Sequence, residues 1–423
     1  MTQALFLLGG IVATLFLAFA YITIAANAEA NHQDRVMSVP QIGPSLEAFL
    51  RALHGAAGER VSAGNTVDLY QNGDEIFPPM LTAIRESKST IHFSTYVYWA
   101  GDVPKVFAAA LSDAARRGVV VRVVLDSEGA EPIPRELVTQ MRDAGCHVAL
   151  FRRMHWFDWM KYNHRTHRRL LIVDGVTGFT GGVGIADEWS GHAQSPAHWR
   201  DSHVRLTGPV VGSLQAAFTD NWNQCTDQLL LDARDYPALE PTGDIRVCAI
   251  VSTPANGASE AQRVMAACVA GATRTLLISN AYFVPTVAFV DALCAARQRG
   301  VDVRIMVPGP YHDQKIVQRA SRHTWPRLLE AGVGIYEYQP TMMHAKTLVV
   351  DGELLIVGSI NFDPRSFALN AEFGVVIVDR ALAARAEEAF EADLTRCKQV
   401  TTSHAGPITR GVGAVCYWAR AQL

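Results

Sequence analysis

The sequence predicts an α/β fold of two tandem repeats, each a β-sheet flanked by helices. The repeats are expected to pack about a pseudo-twofold axis with a shared site between them, after an N-terminal transmembrane helix. Three observations carry this. The block His344, Lys346, Asp351, Gly358, Ser359 and Asn361 recurs without a gap 177 positions earlier as His167, Arg169, Asp174, Gly181, Gly182 and Gly184. A strand–helix–strand order also recurs. TIHFSTYVYW, a helix over about Lys105 to Arg117, Gly118 and VVVRVVLD return as TLLISNAYFV, a helix over Val287 to Arg299, Gly300 and VDVRIMV. Finally, Ala4 to Ala28 contains no charged residue.

In chain order, the apolar run ALFLLGGIVATLFLAFAYITIAANA is long enough to span a bilayer as a helix. Residues 1–28 are expected to form an uncleaved anchor. The alternative is a signal peptide, with Ala26-Asn27-Ala28 as its cleavage site, but no Lys or Arg precedes the run. Arg35 and Arg51 follow it, which places the body of the protein on the cytoplasmic side by the positive-inside rule. Residues 29–64 read as a linker with a short helical pattern around Leu46 to Leu53. The first repeat is expected over 65–235 and the second over 236–423. Gly118 and Gly300, which close the two equivalent helices, have the character of C-cap glycines.

Each repeated block has the pattern of a hairpin. TLVVDG and LLIVDG are apolar strands ending in an Asp-Gly turn, and LLIVGS is the return strand of the second block. Strand alternation puts His344 and Lys346 on one side, so a titratable base and a fixed cation face the same pocket. Ser359 and Asn361 return beside them as neutral donors. The repeat continues past the blocks: Trp199 to Leu206 overlays Asn370 to Ile377 at a spacing of 171, which makes Asp201 the partner of Glu372. Each repeat thus has one carboxylate after its histidine, suited to hold an imidazole in one tautomer.

The stretch from His344 to Asn361 resembles the HxK(x)4D(x)6GSxN signature of the phospholipase D superfamily, and the block from His167 to Gly184 resembles it with two departures. Arg169 stands where the family usually has Lys, which keeps the charge but changes its geometry. Gly184 stands where it usually has Asn and supplies no donor. With TGG after the first block, WRD before a Gly-Pro, and HAK in the second, the chain is most similar to the bacterial cardiolipin synthase branch.

The resemblance implies phosphatidyl transfer through a phosphohistidine, with His167 as nucleophile and His344 as acid and base. It also implies a catalytic set completed by Arg169, Lys346, Asp174 and Asp351, with Ser359 and Asn361 on the substrate phosphate and Asp201 and Glu372 orienting the histidines. No cofactor is implied. The expected partners are phospholipids such as phosphatidylglycerol in a bacterial inner membrane. Alternatives are a phospholipase D that passes the phosphatidyl group to water, a nucleic-acid phosphodiesterase, and a non-catalytic lipid-binding protein.

Composition narrows these readings. With 423 residues, 49% of them hydrophobic, the chain can bury a large duplicated core. A net charge of -3 lacks the positive field of a nonspecific nucleic-acid binder. The seven cysteines are scattered without a CxxC spacing, as buried apolar residues rather than a disulfide framework. His164 and His167 have an HxxH spacing, but no HExxH or Cys/His cluster accompanies it, and no metal site is expected. Aromatic and basic residues alternate over Phe151 to Arg169, which reads as a lipid-headgroup gate, with a base-stacking nucleic-acid surface or a solvated loop with a few core aromatics as the alternatives.

Overall fold

The computed structural model describes residues 45–152, 163–254, 258–401 and 407–420, with scattered positions between 9 and 24. The expected anchor, and most of the aromatic and basic run after Phe151, lie outside the described residues. Among the described residues no helix is long and apolar enough to cross a membrane.

The first helix lies at the short helical pattern expected within residues 29–64, and it packs on the body of the protein. α1 (Leu46–Ala57) is capped by Ser45, which accepts the Ala48 N–H at 3.2 Å. Its apolar stripe of Phe49, Leu50, Leu53 and Ala57 is buried in the second repeat's outer core. Twelve residues are too short a helix to hold alone in water, so packing against a distant part of the chain stabilises it.

The first repeat runs β1 (Ser62–Gln71), α2 (Asn72–Glu86), β2 (Thr90–Thr95), α3 (Asp102–Arg116), β3 (Val120–Asp126), α4 (Arg135–Asp143), β4 (His147–Phe151), β5 (Leu170–Val173), β6 (Thr177–Gly181), β7 (Ser202–Thr207) and α5 (Val211–Thr226). The second follows the same plan. It runs β8 (Ile245–Ser252), α6 (Glu260–Gly271), β9 (Thr275–Asn280), α7 (Val287–Gln298), β10 (Asp302–Pro308), α8 (Lys315–Glu330), β11 (Gly334–Tyr338), β12 (Lys346–Val350), β13 (Leu354–Gly358), α9 (Pro364–Ala368), β14 (Glu372–Val378) and α10 (Arg380–Leu394). An edge strand β15 (Cys397–Gln399) and a helix α11 (Pro407–Trp418) complete it.

The strands lie in the order β15-β11-β10-β9-β12-β13-β14-β8-β1-β7-β6-β5-β2-β3-β4, which reads alike from both ends once the edge strand β15 is set aside. In each half three strands are parallel, joined by crossover helices, and four are antiparallel. The halves meet where β1 pairs antiparallel with β8, Ser62 opposite Val247 and Asn65 opposite Ile245.

Both faces of the sheet are covered. In β5, Leu170 and Ile172 enter a central core while Leu171 and Val173 enter the first repeat's outer core. In β13, Leu355 and Val357 enter the same central core while Leu354 and Ile356 enter the second repeat's outer core. Such strands read as continuous apolar runs because neither side meets water. Phe218 of α5 and Phe390 of α10 fill the central core between the repeats. Arg200 binds Asp393 across it at 2.7 Å.

The two Asp-Gly hairpins explain the motif aspartates. Asp174 and Asp351 have φ of 53° and 54°, the left-handed conformation that short polar residues tolerate. The Asp174 carboxylate accepts the backbone N–H groups of Lys88, Ser89 and Thr90, and that of Asp351 accepts those of Thr273, Arg274 and Thr275. Each fastens a hairpin to the start of the neighbouring parallel strand, and neither lines the cavity that holds both motif histidines. Asp174→Ala or Asp351→Ala should lower conformational stability by about 1–3 kcal/mol, because three backbone donors lose a charged acceptor. A urea denaturation series measures it.

Candidate active site

The histidines sit just before β5 and β12, where each chain segment is tied to the other repeat. His167 donates its N–H to Ala371 O at 2.8 Å, and Ala371 donates back to Arg165 O at 2.9 Å. The second repeat mirrors this, with His344 donating to Arg200 O at 2.7 Å and Arg200 donating to Met342 O at 2.9 Å. Ala371 and Arg200 each precede a carboxylate in sequence. The backbone ties therefore deliver Glu372 to His167 and Asp201 to His344.

His167 Nδ1 lies 3.0 Å from both carboxylate oxygens of Glu372. His344 Nδ1 lies 2.6 Å from Asp201 Oδ2. Each orienting carboxylate thus serves the histidine of the opposite repeat. Both carboxylates are fully buried, and burial works against their charge. Their imidazole partners and further donors outweigh that and hold both carboxyls below the usual range. Glu372 accepts the hydroxyls of Ser359 and Ser366, and Asp201 accepts Trp189 Nε1–H and the Ser202 N–H, both at 2.8 Å.

Ser359, expected on a substrate phosphate, instead faces Glu372 and also accepts the Phe373 N–H at 3.1 Å. Its hydroxyl follows a strand that ends beside the carboxylate, so it stiffens the His167 pair. The equivalent Gly182 has no side chain because Asp201 occupies the space: a Cβ there would lie 2.0 Å from Asp201 Oδ1. Gly184 answers to the same crowding. A Cβ on it would come within 2.7 Å of Val97 and 3.0 Å of the Trp189 ring. The indole takes the room and donates to the carboxylate.

A cavity of about 340 Å³ opens between the repeats, with His167, Arg169, His344 and Asn361 in its wall. Asn361 Oδ1 and Arg169 Nε are buried without a hydrogen-bond partner among the described residues, which suits groups completed by a ligand. Lys346 Nζ lies 2.9 and 3.0 Å from the ring nitrogens of His344. Burial, reinforced by Arg169, holds His167 down at about 4, and burial reinforced by Lys346 holds His344 at about 3. Burial also brings Lys346 down to about 7. Imidazoles in this setting are neutral near pH 7. An anionic phosphate between the cations favours protonation of the group beside it. Among the described residues no group of three or more His, Cys, Asp or Glu side chains is placed to hold a metal.

The sequence reading missed the cavity's aromatic and acidic lining. Tyr96, Trp99, Trp189, Trp199, Tyr282 and Asp313 all contribute. Tyr96 packs edge-on to His167 at 5.3 Å and Trp199 stacks on His344 at 5.4 Å. A signal existed for several of them. Tyr96, Tyr282 and Asp313 follow the C-terminal ends of β2, β9 and β10, where parallel sheets place ligands.

Two sheet repeats that exchange carboxylates to hold a pair of histidines beside two cations define a phospholipase D-like protein. The family model described as "Cardiolipin synthase, PLD-like domain" matches residues 80–191 and 265–394, one stretch in each repeat, and the chain belongs to that family. The probable cardiolipin synthase YwiE of Bacillus subtilis (strain 168) is 32% identical over 381 residues, covering 90% of this chain and 76% of its own length. Cardiolipin synthase A of Pseudomonas fluorescens (strain SBW25) is 33% identical over 363 residues, covering 84% and 74%. Among solved structures, phosphatidylserine synthase of Haemophilus influenzae Rd KW20 shares the fold at a TM-score of 0.64 and 12% identity, over 89% of this chain and 100% of that one.

Trp189→Phe keeps a ring beside His344 but removes one of the donors to Asp201. Turnover should fall by about tenfold or more, the range of a hydrogen bond to a charged group. The limb of the pH–rate profile governed by His344 should move to higher pH, because a carboxylate with fewer donors attracts the imidazole proton more strongly. Steady-state rates across pH, beside thermal melting of the variant, separate this from loss of packing.

Proposed function

We propose that this protein is a phosphatidyltransferase that exchanges phospholipid phosphodiesters, with phosphatidylglycerol as donor and acceptor and cardiolipin and glycerol as products. The observation that carries the reading is the crossed pair: two histidines, each held at Nδ1 by the other repeat's carboxylate, lining one cavity. With Nδ1 occupied, Nε2 is the free nitrogen of His167, and a fixed tautomer is what a nucleophile and an acid each require.

In the first step His167 Nε2 bonds to phosphorus as the bond to the departing glycerol oxygen breaks, and His344 gives that oxygen a proton. In the second, an acceptor hydroxyl passes its proton to His344 while its oxygen bonds to phosphorus and the phosphorus–nitrogen bond breaks. Arg169, Lys346 and Asn361 are the groups suited to hold the nonbridging oxygens. Phosphate in that position draws Lys346 toward itself and sets negative charge beside His344. Both changes favour the protonated imidazole that the first step needs. The aromatic lining limits the water that competes with a lipid alcohol.

The membrane is part of the proposal. Its support is the uncharged run Ala4 to Ala28 and the lipid nature of the substrates. An anchored enzyme meets acceptor lipid at a high local concentration.

His167→Ala and His344→Ala should each remove nearly all turnover while the proteins still fold, since one phosphate needs both groups. Near-normal activity of His167→Ala, assayed on detergent-dispersed phosphatidylglycerol, would break the shared-site mechanism. Full-length protein given phosphatidylglycerol vesicles should yield mainly cardiolipin and glycerol, with phosphatidic acid minor, by mass spectrometry of the lipids. Dominant phosphatidic acid would instead make water the acceptor.

A further inference from the structure

The catalytic cavity contains a carboxylate that the mechanism above does not use. An anionic phosphodiester is repelled by carboxylates, so each acidic side chain in its cavity requires an account. Asp363 has one, as the cap of α9 whose carboxylate accepts the Ser366 N–H at 2.7 Å. Glu128 lies 3.9 Å from the Arg165 guanidinium, and Glu131 is exposed to solvent. Asp313 caps no helix and pairs with no Lys or Arg side chain among the described residues. It stands in the loop between β10 and α8 and lines the cavity on the side of His344.

Asp313 is held, not merely present. One carboxylate oxygen accepts the Tyr282 hydroxyl and the other accepts the Gln314 N–H at 2.8 Å, with His312 Nδ1 at 3.3 Å. Tyr282 in turn packs edge-on to His344, ring centres 6.3 Å apart, with Lys346 Nζ 5.9 Å from its ring. A carboxylate has about four acceptor positions, so Asp313 retains capacity for a ligand's donors.

We propose that Asp313, fixed by Tyr282, is the alcohol-recognition residue: it accepts a hydrogen bond from a second hydroxyl of the departing and of the incoming headgroup. This rests on the phosphatidyl-transfer reading, in which His344 serves both alcohols. Both alcohols must then occupy the His344 side, and whatever lies beyond the reacting oxygen meets Asp313. A polyol supplies hydroxyl donors there. An ammonium headgroup would satisfy the carboxylate equally well, but it would face the Lys346 and Arg169 charges within the same cavity. A neutral hydroxyl suits both neighbours.

The test is an acceptor competition. Full-length protein is given phosphatidylglycerol vesicles with equal concentrations of isotopically labelled glycerol and 1-propanol, and the labelled phosphatidylglycerol and phosphatidylpropanol are counted by mass spectrometry. The wild type should favour glycerol. Asp313→Asn, which keeps an acceptor for Tyr282 but removes the charge, should reduce the glycerol-to-propanol ratio about tenfold, the discrimination expected of a charged hydrogen-bonding partner. Asp313→Ala should reduce it at least as far. An unchanged ratio in both variants would overturn the assignment. Equal use of the two alcohols by the wild type would overturn it as well. Absence of either exchange product with the wild type would instead defeat the transfer reading, and this inference with it.

Discussion

The structure depends on one constraint: each imidazole in the cavity is held by a carboxylate that belongs to the other repeat. Burying ionisable groups is costly unless partners and further hydrogen bonds compensate, and removing one partner leaves the other stranded. Glu372, Asp201 and their histidines are accordingly over-determined. Backbone hydrogen bonds place each pair, and hydroxyl, indole or amide donors complete each carboxylate. The continuous sheet through β1 and β8 and the central core between the repeats serve the same end, because the two halves must not shift against each other. Arg168 adds to this from the first repeat, donating to Ser252 O and Glu372 O in the second.

Symmetry in the backbone has left room for asymmetry in the side chains. In one half a serine supports a glutamate. In the other a glycine yields its space to an aspartate, and a tryptophan supplies a donor from elsewhere. Gly184, which looked like a missing side chain, is one member of a repacked set with Val97 and Trp189. A motif read residue by residue registers the loss; only the packing displays the replacement.

Much of the fold was legible because its signals are local. The Asp-Gly turns, the apolar strands and the amphipathic helices each follow from a few adjacent residues, and the 177-residue recurrence exposed the duplication. The pairing of Asp201 with Glu372 as equivalents was also visible in the repeat register. Which histidine each carboxylate would meet was not, since that depends on how two distant loops cross. Asp174 and Asp351 illustrate a different limit: spacing reports that residues occur together, but a cap on a strand and a group in a cavity leave the same trace. The helical pattern of α1 was legible but its packing was not, because its partner, the second repeat's outer core, lies some two hundred positions away.

The crossing of partners also bears on how the chain comes into being. A ribosome completes the first repeat while Glu372 is still unmade, so a nascent His167 has no carboxylate and Asp201 has no imidazole. Neither half alone supplies its histidine with the carboxylate that holds it. Both pairs are complete only once β14 of the second repeat has docked beside the first.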